Sequence, residues 1–271
     1  MDENVVSFTS VNLVTQENGW RMRQWSEADE ATNRSFRPLE TFAEKFDRVA
    51  ADARRLGFHY VDLWTAHINP LWASTDHIAA VKEVLSRHGL TALALSGGMG
   101  DTWQEVEKAC ELADALGLRA LAGPCQAYEV DRRNVIDVLR NFRVKLALEN
   151  HPLERTPLDM LRKLDEEGVV QTTVDTGWWA TNGYDPLQAI RELAERMYCV
   201  HLKDVRRAGP HHDNCPWGEG VVPVRKCLET VKEVGYPGPL TVEYEPDEGD
   251  PRDAIRMMRR ELESWQKAMA S

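Results

Sequence analysis

The chain has 271 residues, 42% of them hydrophobic, and a formal net charge of −11. This length is normal for one α/β barrel, and the hydrophobic share suffices for a large core. No stretch approaches the ~18 apolar residues that span a bilayer, and the first ten residues lack the basic-then-apolar order of a secretion signal. An acidic chain without a dense run of Lys or Arg also matches nucleic acid poorly. We therefore expect neither a membrane nor a nucleic-acid partner.

The cysteines show neither a pairing pattern nor a metal-binding motif. They are scattered without a C-x-x-C, at Cys110, Cys125, Cys199, Cys215 and Cys227. An odd, dispersed set is typical of reduced cysteines, because disulfide frameworks and zinc knuckles use regular spacing. This pattern predicts a cytoplasmic protein.

Eight short apolar runs, rich in Val, Leu, Thr or Tyr, predict strands. They cover residues 5–14, 58–66, 91–97, 119–124, 144–150, 169–175, 197–204 and 239–245. Continuous apolar runs of this length are typical of strands covered on both faces. The segments between them predict helices that begin at Pro and end before Gly. Three predicted helices have both ends: residues 39–56, Thr75 or Asp76 to Gly89, and Thr156 to Gly168. Two more are predicted to end at Gly117 and Gly235, and two others to begin at Asp185 and Asp250.

The alternation predicts an α/β fold, a (β/α)8 TIM barrel in which residues 1–271 form a single domain. An open doubly wound sheet is the alternative, but no G-x-G-x-x-G or P-loop follows the first strand. Two long segments are predicted as loops: 15–38, which would lie over the barrel mouth, and 206–220. The His211–His212 pair in the second loop is expected to be solvated, with a lid contact as the alternative.

Four polar side chains end four successive predicted strands: Glu149, Asp175, His201 and Glu243. If these strands are parallel neighbours, their carboxyl ends meet at one place, and reactive groups of barrels lie at this end. Three carboxylates at one place repel one another unless a cation lies between them. Carboxylate oxygens with one imidazole nitrogen suit Mn, Mg, Co or Zn, with Mn favoured. The sequence therefore predicts one divalent metal ion.

Such a site indicates proton-transfer chemistry beside a carbonyl group. A divalent ion that binds two substrate oxygens makes the proton on the carbon next to the carbonyl more acidic. One carboxylate can then remove this proton, and a second on the opposite face can return it.

Five motifs carry a resemblance to a known family. In order and spacing, LALENHP, TVDTG, VHLKD, GEG and LTVEYE resemble the xylose isomerase-like TIM-barrel family of sugar-phosphate isomerases and epimerases. This family includes ketose 3-epimerases, hydroxypyruvate isomerase and inosose dehydratase. The resemblance extends over residues 90–250 and implies the same four metal ligands.

The resemblance also implies roles for individual residues. Glu149 and Glu243 would act as the acid–base pair. Arg207, six residues after the ligand histidine, stands where such epimerases have an arginine that binds a substrate oxygen. Members of the family often form dimers or tetramers, so a homo-oligomer is a further implication.

Three more residues are candidates for the site. Lys203 shares its side of the strand with His201 and can neutralise an enolate oxygen, with a surface salt bridge to Asp204 or Glu219 as the alternative. His67 ends the second strand and is a candidate for reaching the substrate. His151 is a candidate for contacting the substrate or for supporting Glu149. A structural role is the alternative for both histidines.

The chain departs from the family pattern at two places. Trp178 follows Asp175-Thr-Gly where family members often have a substrate-binding histidine. Its flat apolar face can pack against the C–H face of a sugar or against an aromatic ring. Arg155, with Glu154 beside it, replaces a glutamate used by some epimerases.

The leading hypothesis is a metal-dependent isomerase or epimerase of a small ketose, a keto-inositol or a related polyol. A lyase is the alternative, since the same enolate can expel a leaving group, as in inosose dehydration or cleavage of an oxidised glycoside. The Trp178–Trp179 pair favours a bulkier substrate and hence this alternative. An apurinic-site endonuclease would use several zinc ions and more histidines, and a non-catalytic barrel would hold no tight metal.

Overall fold

Eight parallel strands close into a barrel in the computed structural model, which describes residues 4–209 and 211–270. Residues 1–3 and 271 of the predicted domain, and residue 210 of the predicted loop 206–220, lie outside the described residues. The barrel strands are β1 Val6–Thr9, β2 Tyr60–Trp64, β3 Thr91–Ser96, β4 Ala120–Ala122, β5 Lys145–Glu149, β6 Val170–Asp175, β7 Met197–Leu202 and β10 Leu240–Val242. A short antiparallel ribbon pairs β8 Asp204–Val205 with β9 Asn214–Cys215.

The strands follow one another around the barrel in chain order, and β10 closes the ring against β1. At the closure Val6 lies opposite Leu240, and on the other side of β10 Thr241 lies opposite His201. This arrangement confirms the predicted (β/α)8 TIM barrel. It also places β5, β6, β7 and β10 side by side, as the prediction of a shared site requires.

Helices connect the strands and cover the barrel. They are α1 Trp25–Phe36, α2 Leu39–Arg55, α3 Thr75–His88, α4 Trp103–Leu116, α5 Gln126–Val130, α6 Arg132–Phe142, α7 Pro157–Leu161, α8 Thr176–Thr181, α9 Pro186–Leu193, α10 Val224–Glu233 and α11 Arg252–Ala270. Ser74 and Thr156 cap α3 and α7 by accepting backbone N–H bonds, and each completes a capping box with the residue three positions on. Among the described residues, no helix combines the length and apolar character that a membrane crossing requires.

Three predictions of local structure were wrong. The segment 15–38 is not a loop throughout, because residues 25–36 form α1. The predicted first strand, 5–14, ends at Thr9 and continues as a 3-10 helix. The helix predicted from Thr156 to Gly168 ends at Leu161, and Arg162 is its C-cap residue.

Small side chains on one side of the barrel leave room inside it. Ala94, Ala120, Ala122 and Ala147 form a buried cluster on β3, β4 and β5. On the opposite side the interior is polar, since Asp62 accepts hydrogen bonds from the hydroxyls of Ser7 and Thr241 at 2.6 and 3.0 Å. All five cysteines are buried and unpaired, as predicted.

Candidate metal centre

Four donor groups meet at the carboxyl ends of four neighbouring strands. Glu149 and Asp175 are the last residues of β5 and β6, His201 lies on β7, and Glu243 directly follows β10. One donor atom from each side chain lies within 4.8 Å of the other three. The structure therefore brings together the predicted set Glu149, Asp175, His201 and Glu243.

The imidazole of His201 lies between two carboxylates. Its Nδ1 is 2.8 Å from Oε1 of Glu149 and 2.5 Å from Oε2 of Glu243. Burial alone would lower the pKa of His201, but the charges of Glu243 and Glu149 outweigh it and raise this pKa well above the usual value. A proton on Nδ1 and a metal cation would thus compete for the same position.

Lys203 is part of this cluster. Its Nζ lies 2.8 Å from Oε1 of Glu243 and 3.4 Å from Oδ2 of Asp175, and its side chain is 3% exposed. The predicted alternative, a surface salt bridge to Asp204 or Glu219, is not what the structure shows. Burial lowers the pKa of Lys203, but the charges of Asp175 and Glu243 outweigh it and raise this pKa well above the usual value, so the ammonium stays charged.

The cluster contains carboxylate oxygens that fit a cation. Within the described residues, Oδ2 of Asp175 and Oε2 of Glu243 are buried and lie beside cationic groups, Nζ of Lys203 at 3.4 Å and Nδ1 of His201 at 2.5 Å. Three buried carboxylates around one position need positive charge, and a metal ion would supply it. Ligands about 2.1 Å from one ion lie at most about 4.2 Å apart. The four donor atoms lie within 4.8 Å of one another, so small movements would let them reach one ion. The oxygen-rich donor set thus fits a hard or borderline divalent ion.

Neighbouring groups fix the orientation of the ligands. Oδ1 of Asp175 accepts the backbone N–H of Trp178 at 2.7 Å and so caps α8. The side chain of Asn150 bonds both the N–H and the C=O of Asp175. Nε2 of His151 lies 3.6 Å from Oε2 of Glu149, and its supporting role stays a prediction.

A cavity of about 690 Å³ opens above the cluster. Its floor carries Glu149, His201, Lys203 and Glu243, and its apolar wall residues are Val11, Met22, Trp25, Trp64 and Trp178. Polar groups at the base with aromatic walls are typical of sites for small organic ligands. The cavity can therefore hold a molecule of sugar size, with its hydroxyls toward the cluster.

Two predicted substrate-binding residues do not line this cavity. His67 is buried among aromatic rings, 4.5 Å from the centroid of Phe36 and 5.2 Å from that of Trp64, and its Nδ1 lies 3.1 Å from the hydroxyl of Ser10. Arg207 is exposed, because β8 and β9 fold its segment into a ribbon beside the barrel mouth. His151 and Trp178, the other two candidates, do line the cavity.

The structure adds residues that sequence reasoning missed. His212, expected to be solvated, stacks on Trp178 with ring centroids 3.6 Å apart and planes 11° apart. Glu245 lines the cavity, accepts the indole N–H of Trp25 at 3.2 Å, and burial raises its pKa to about 8. Its spacing of two from Glu243 was a usable signal, because alternate residues of an extended segment share a side. His212 carried no comparable signal.

Glu154 has a different role from the one its position suggested. Its buried carboxylate forms an ion pair with the half-buried Lys163 at 2.6 Å and accepts the backbone N–H of His151 at 2.9 Å. It therefore supports the segment after β5 from outside the main cavity.

A comparison with known protein families identifies the family to which this barrel belongs. The model of the xylose isomerase-like TIM barrel family matches residues 50–261, more than three quarters of the chain. The chain belongs to the xylose isomerase-like TIM barrel family. The resemblance seen in the sequence motifs is thus confirmed at the level of the family.

Individual members of the xylose isomerase-like family show a distant similarity. Inosose dehydratase of Lacticaseibacillus casei is 28% identical over 105 residues, which cover 33% of this chain and 35% of that protein. The match thus spans about a third of that relative's length.

Two solved structures share the fold across nearly the whole chain. A xylose isomerase-like TIM barrel protein of Mycobacterium smegmatis in complex with magnesium has a TM-score of 0.69 and 15% identity, covering 99% of this chain and 98% of that one. D-allulose 3-epimerase of Methylomonas sp. in complex with D-allulose has a TM-score of 0.68 and 16% identity, covering 98% of each chain. At these identities the similarity establishes the fold.

Proposed function

We propose that this protein is a divalent-metal-dependent isomerase or epimerase of a small ketose, a keto-inositol or a related sugar. The observation that carries the proposal is the position of Glu149 and Glu243 on either side of one point, Nδ1 of His201, at 2.8 and 2.5 Å. Both carboxylates line the floor of the cavity. Two carboxylates around one substrate carbon are what removal and return of a proton requires.

Glu149, Asp175, His201 and Glu243 would hold the metal ion, with Mn favoured among Mn, Mg, Co and Zn. When bound, such an ion polarises a carbonyl group and makes the neighbouring C–H more acidic. The buried carboxylate oxygens of Asp175 and Glu243, which lie beside cationic groups, support this assignment.

The remaining roles belong to the protein's own side chains. One of Glu149 and Glu243 removes the proton beside the carbonyl, and the other returns a proton to the opposite face. The ammonium of Lys203, 2.8 Å from Glu243, counters negative charge that develops on the substrate oxygen. Trp178 offers a flat wall for the C–H face of the sugar. His151 stays beside Glu149 and holds it in place.

The charge of the cavity favours a substrate without phosphate. Arg23 and Lys203 are its lining Lys and Arg residues, and Lys203 already pairs with two carboxylates. The lining carboxylates are more numerous: Asp29, Glu149, Glu243, Glu245 and Asp247. The bound ion would offset part of this negative charge, but Arg23 is then the one Lys or Arg of the described lining that is not already paired with the cluster. A phosphate would thus have few cationic partners, so an uncharged sugar fits better.

A dehydratase is the second candidate. The same proton removal leads to water loss when a hydroxyl leaves from the next carbon. The match to inosose dehydratase supports this outcome, and so does Trp178, whose bulk suits a ring-shaped substrate. A homo-oligomer and a cytoplasmic location stay predictions.

The test uses the Mn-loaded protein in D2O with unphosphorylated ketohexoses and keto-inositols. Recovered sugar or product should carry deuterium on the carbon next to the carbonyl, seen by proton NMR and mass spectrometry. Loss of the mass of water from the product identifies the dehydratase. The variants Glu149→Gln and Glu243→Gln keep side-chain size but lose the base, so exchange should fall at least a hundredfold, roughly the contribution of one general base. If the protein catalyses neither deuterium exchange nor water loss with any of these sugars, both functions are excluded.

A further inference from the structure

His212 lies in the wall of the same cavity, although it belongs to a distant part of the chain. It precedes β9 in the segment that joins the two ribbon strands. Two residues of α8, one turn apart, hold its ring: Trp178 stacks against it, and Oγ1 of Thr181 lies 2.9 Å from its Nδ1. The backbone N–H of Gly209 also donates to the carbonyl of Thr181. Stacking on one face and a hydrogen bond at Nδ1 therefore fix the position of the ring.

The second nitrogen of this ring is left without a partner. Among the described residues, Nε2 of His212 is buried and forms no hydrogen bond. A buried polar atom of this kind usually has a partner in protein, water or ligand. Since the side chain of His212 lines the cavity above the candidate metal cluster, a ligand bound in this cavity is the group outside the protein that could supply the partner.

We propose that Nε2 of His212 binds a hydroxyl group of the sugar substrate and so helps to determine specificity. The proposal rests on the proposed function and names a further contact of that site. The imidazole comes from the segment between β8 and β9 and rests on the indole of Trp178.

The chemistry of the ring favours a hydroxyl as the ligand group. Burial and the charge of Lys203 lower the pKa of His212 to about 2, so the ring is neutral and carries one N–H. If Nδ1 donates to Thr181, Nε2 accepts; if Thr181 donates to Nδ1, Nε2 donates. A sugar hydroxyl satisfies either form, because it can both donate and accept. A fully ionised phosphate can only accept hydrogen bonds, so it satisfies only the form in which Nε2 donates.

Three variants separate a polar contact from a packing role. His212→Phe keeps a ring that can stack on Trp178 but loses both nitrogens. His212→Gln loses the ring but provides a side-chain amide that can donate or accept a hydrogen bond. His211→Ala, at the exposed neighbouring position in the same segment, is the matched control.

Kinetics with the Mn-loaded full-length enzyme form the first arm. The probe is the unphosphorylated ketohexose or keto-inositol that exchanges fastest in D2O. His212→Phe should raise KM roughly tenfold with little change in kcat, because a hydroxyl contact away from the reacting carbon strengthens ground and transition states alike. His212→Gln should recover part of the loss, and His211→Ala should match the wild type. Wild-type KM in His212→Phe would show that the ring only packs and would overturn the proposal.

NMR of the 15N-histidine-labelled protein forms the second arm and needs no turnover. The Nε2 signal of His212, identified by its absence in His212→Phe, should shift when D-allulose, D-fructose or a keto-inositol is added. The signals of His211 should not shift. An unmoved Nε2 signal with every sugar would overturn the proposal. If this signal shifts but the wild type exchanges no deuterium and loses no water with any sugar, the proposed function fails while the binding contact stands.

Discussion

A single methyl group at Gly177 should disturb the candidate site through Lys203. A Cβ at Gly177 would lie 2.8, 2.9 and 3.2 Å from Cγ, Cδ and Cβ of Lys203. The lysine side chain is 3% exposed and its Nζ is held by Asp175 and Glu243. Its stem therefore cannot move aside without pulling the ammonium away from the carboxylates. We predict that Gly177→Ala is destabilising and lowers activity.

The size of the effect follows from three contributions. An extra methyl in a packed core costs about 1–3 kcal/mol. Displacement of a buried ammonium from its carboxylates adds to this cost. Gly177 lies in the first turn of α8, where alanine is the better helix former by about 1 kcal/mol. The expected net loss of about 2 kcal/mol corresponds to a Tm lowered by roughly 4–8 °C.

The control is Gly98→Ala at the same mouth of the barrel. A Cβ at Gly98 would have no heavy atom within 4 Å, so its Tm should stay within about 2 °C of the wild type. Thermal unfolding followed by circular dichroism measures both variants, and deuterium exchange measures the proton transfer in Gly177→Ala. If Gly177→Ala melts and exchanges like the wild type, the stem of Lys203 is free to move, and our account of its fixed position is wrong.

The remaining predictions concern other parts of the fold and site. Burial lowers the pKa of His67 to about 3, so below pH 6.5 the unfolded chain binds a proton that the folded chain does not. Stability from this group is complete above pH 6.5 and is lost as the pH falls toward 3, by about 2 kcal/mol between pH 7 and 5. Urea unfolding at the two pH values should show a loss about 2 kcal/mol larger in the wild type than in His67→Gln, because other buried groups titrate in both proteins; an equal loss in both would contradict it. Glu149→Ala and His201→Ala should each lose bound Mn, and elemental analysis that finds wild-type content in both would exclude the proposed ligand set. Trp178→His should weaken substrate binding several-fold with metal content unchanged, because a stacking contact contributes about 1 kcal/mol; wild-type kinetics would show that Trp178 only packs the barrel.

The meeting of Glu149, Asp175, His201 and Glu243 could be predicted because their position depends on a simple rule. In a parallel barrel all strands end at the same face, so polar residues at the ends of neighbouring strands must meet. Asp175 lies opposite His201 in the register, and Thr241, two residues before Glu243, lies opposite the same histidine. The rule needs only strand ends and strand order, and both follow from the apolar runs.

Helix α1 was missed because its buried face is weakly apolar. Ala28, Thr32 and Phe36 repeat every four residues and are buried, but only one of them is a large hydrophobic residue. The remaining surface of the helix is polar, so the pattern resembled a loop. Tertiary contacts supply the missing stability: Phe36 packs against Phe42 of α2 and against His67. Such contacts between distant segments are not visible in local periodicity.

The position of His212 depends on a network that joins two separate motifs. In VHLKD, the side chains of His201 and Lys203 belong to the candidate metal cluster, whereas the carboxylate of Asp204 binds a different part of the chain. The carboxylate of Asp204 accepts the backbone N–H groups of Gly218 and Gly220, at 3.0 and 3.1 Å.

The GEG motif is therefore the partner of Asp204. A Cβ at Gly220 would lie 2.2 Å from Oδ1 of Asp204, so only glycine permits this approach. The backbone N–H of Val222 also donates to the same carboxylate, at 2.9 Å. These bonds fasten the end of the 206–220 segment to Asp204 of β8, while the pairing of β8 with β9 fixes its middle. β8 begins two residues after the end of β7, the strand that carries His201, so the segment with His212 is anchored beside the candidate metal cluster. The carboxylate next to Lys203 thus holds the GEG motif against VHLKD, and with it the wall of the cavity.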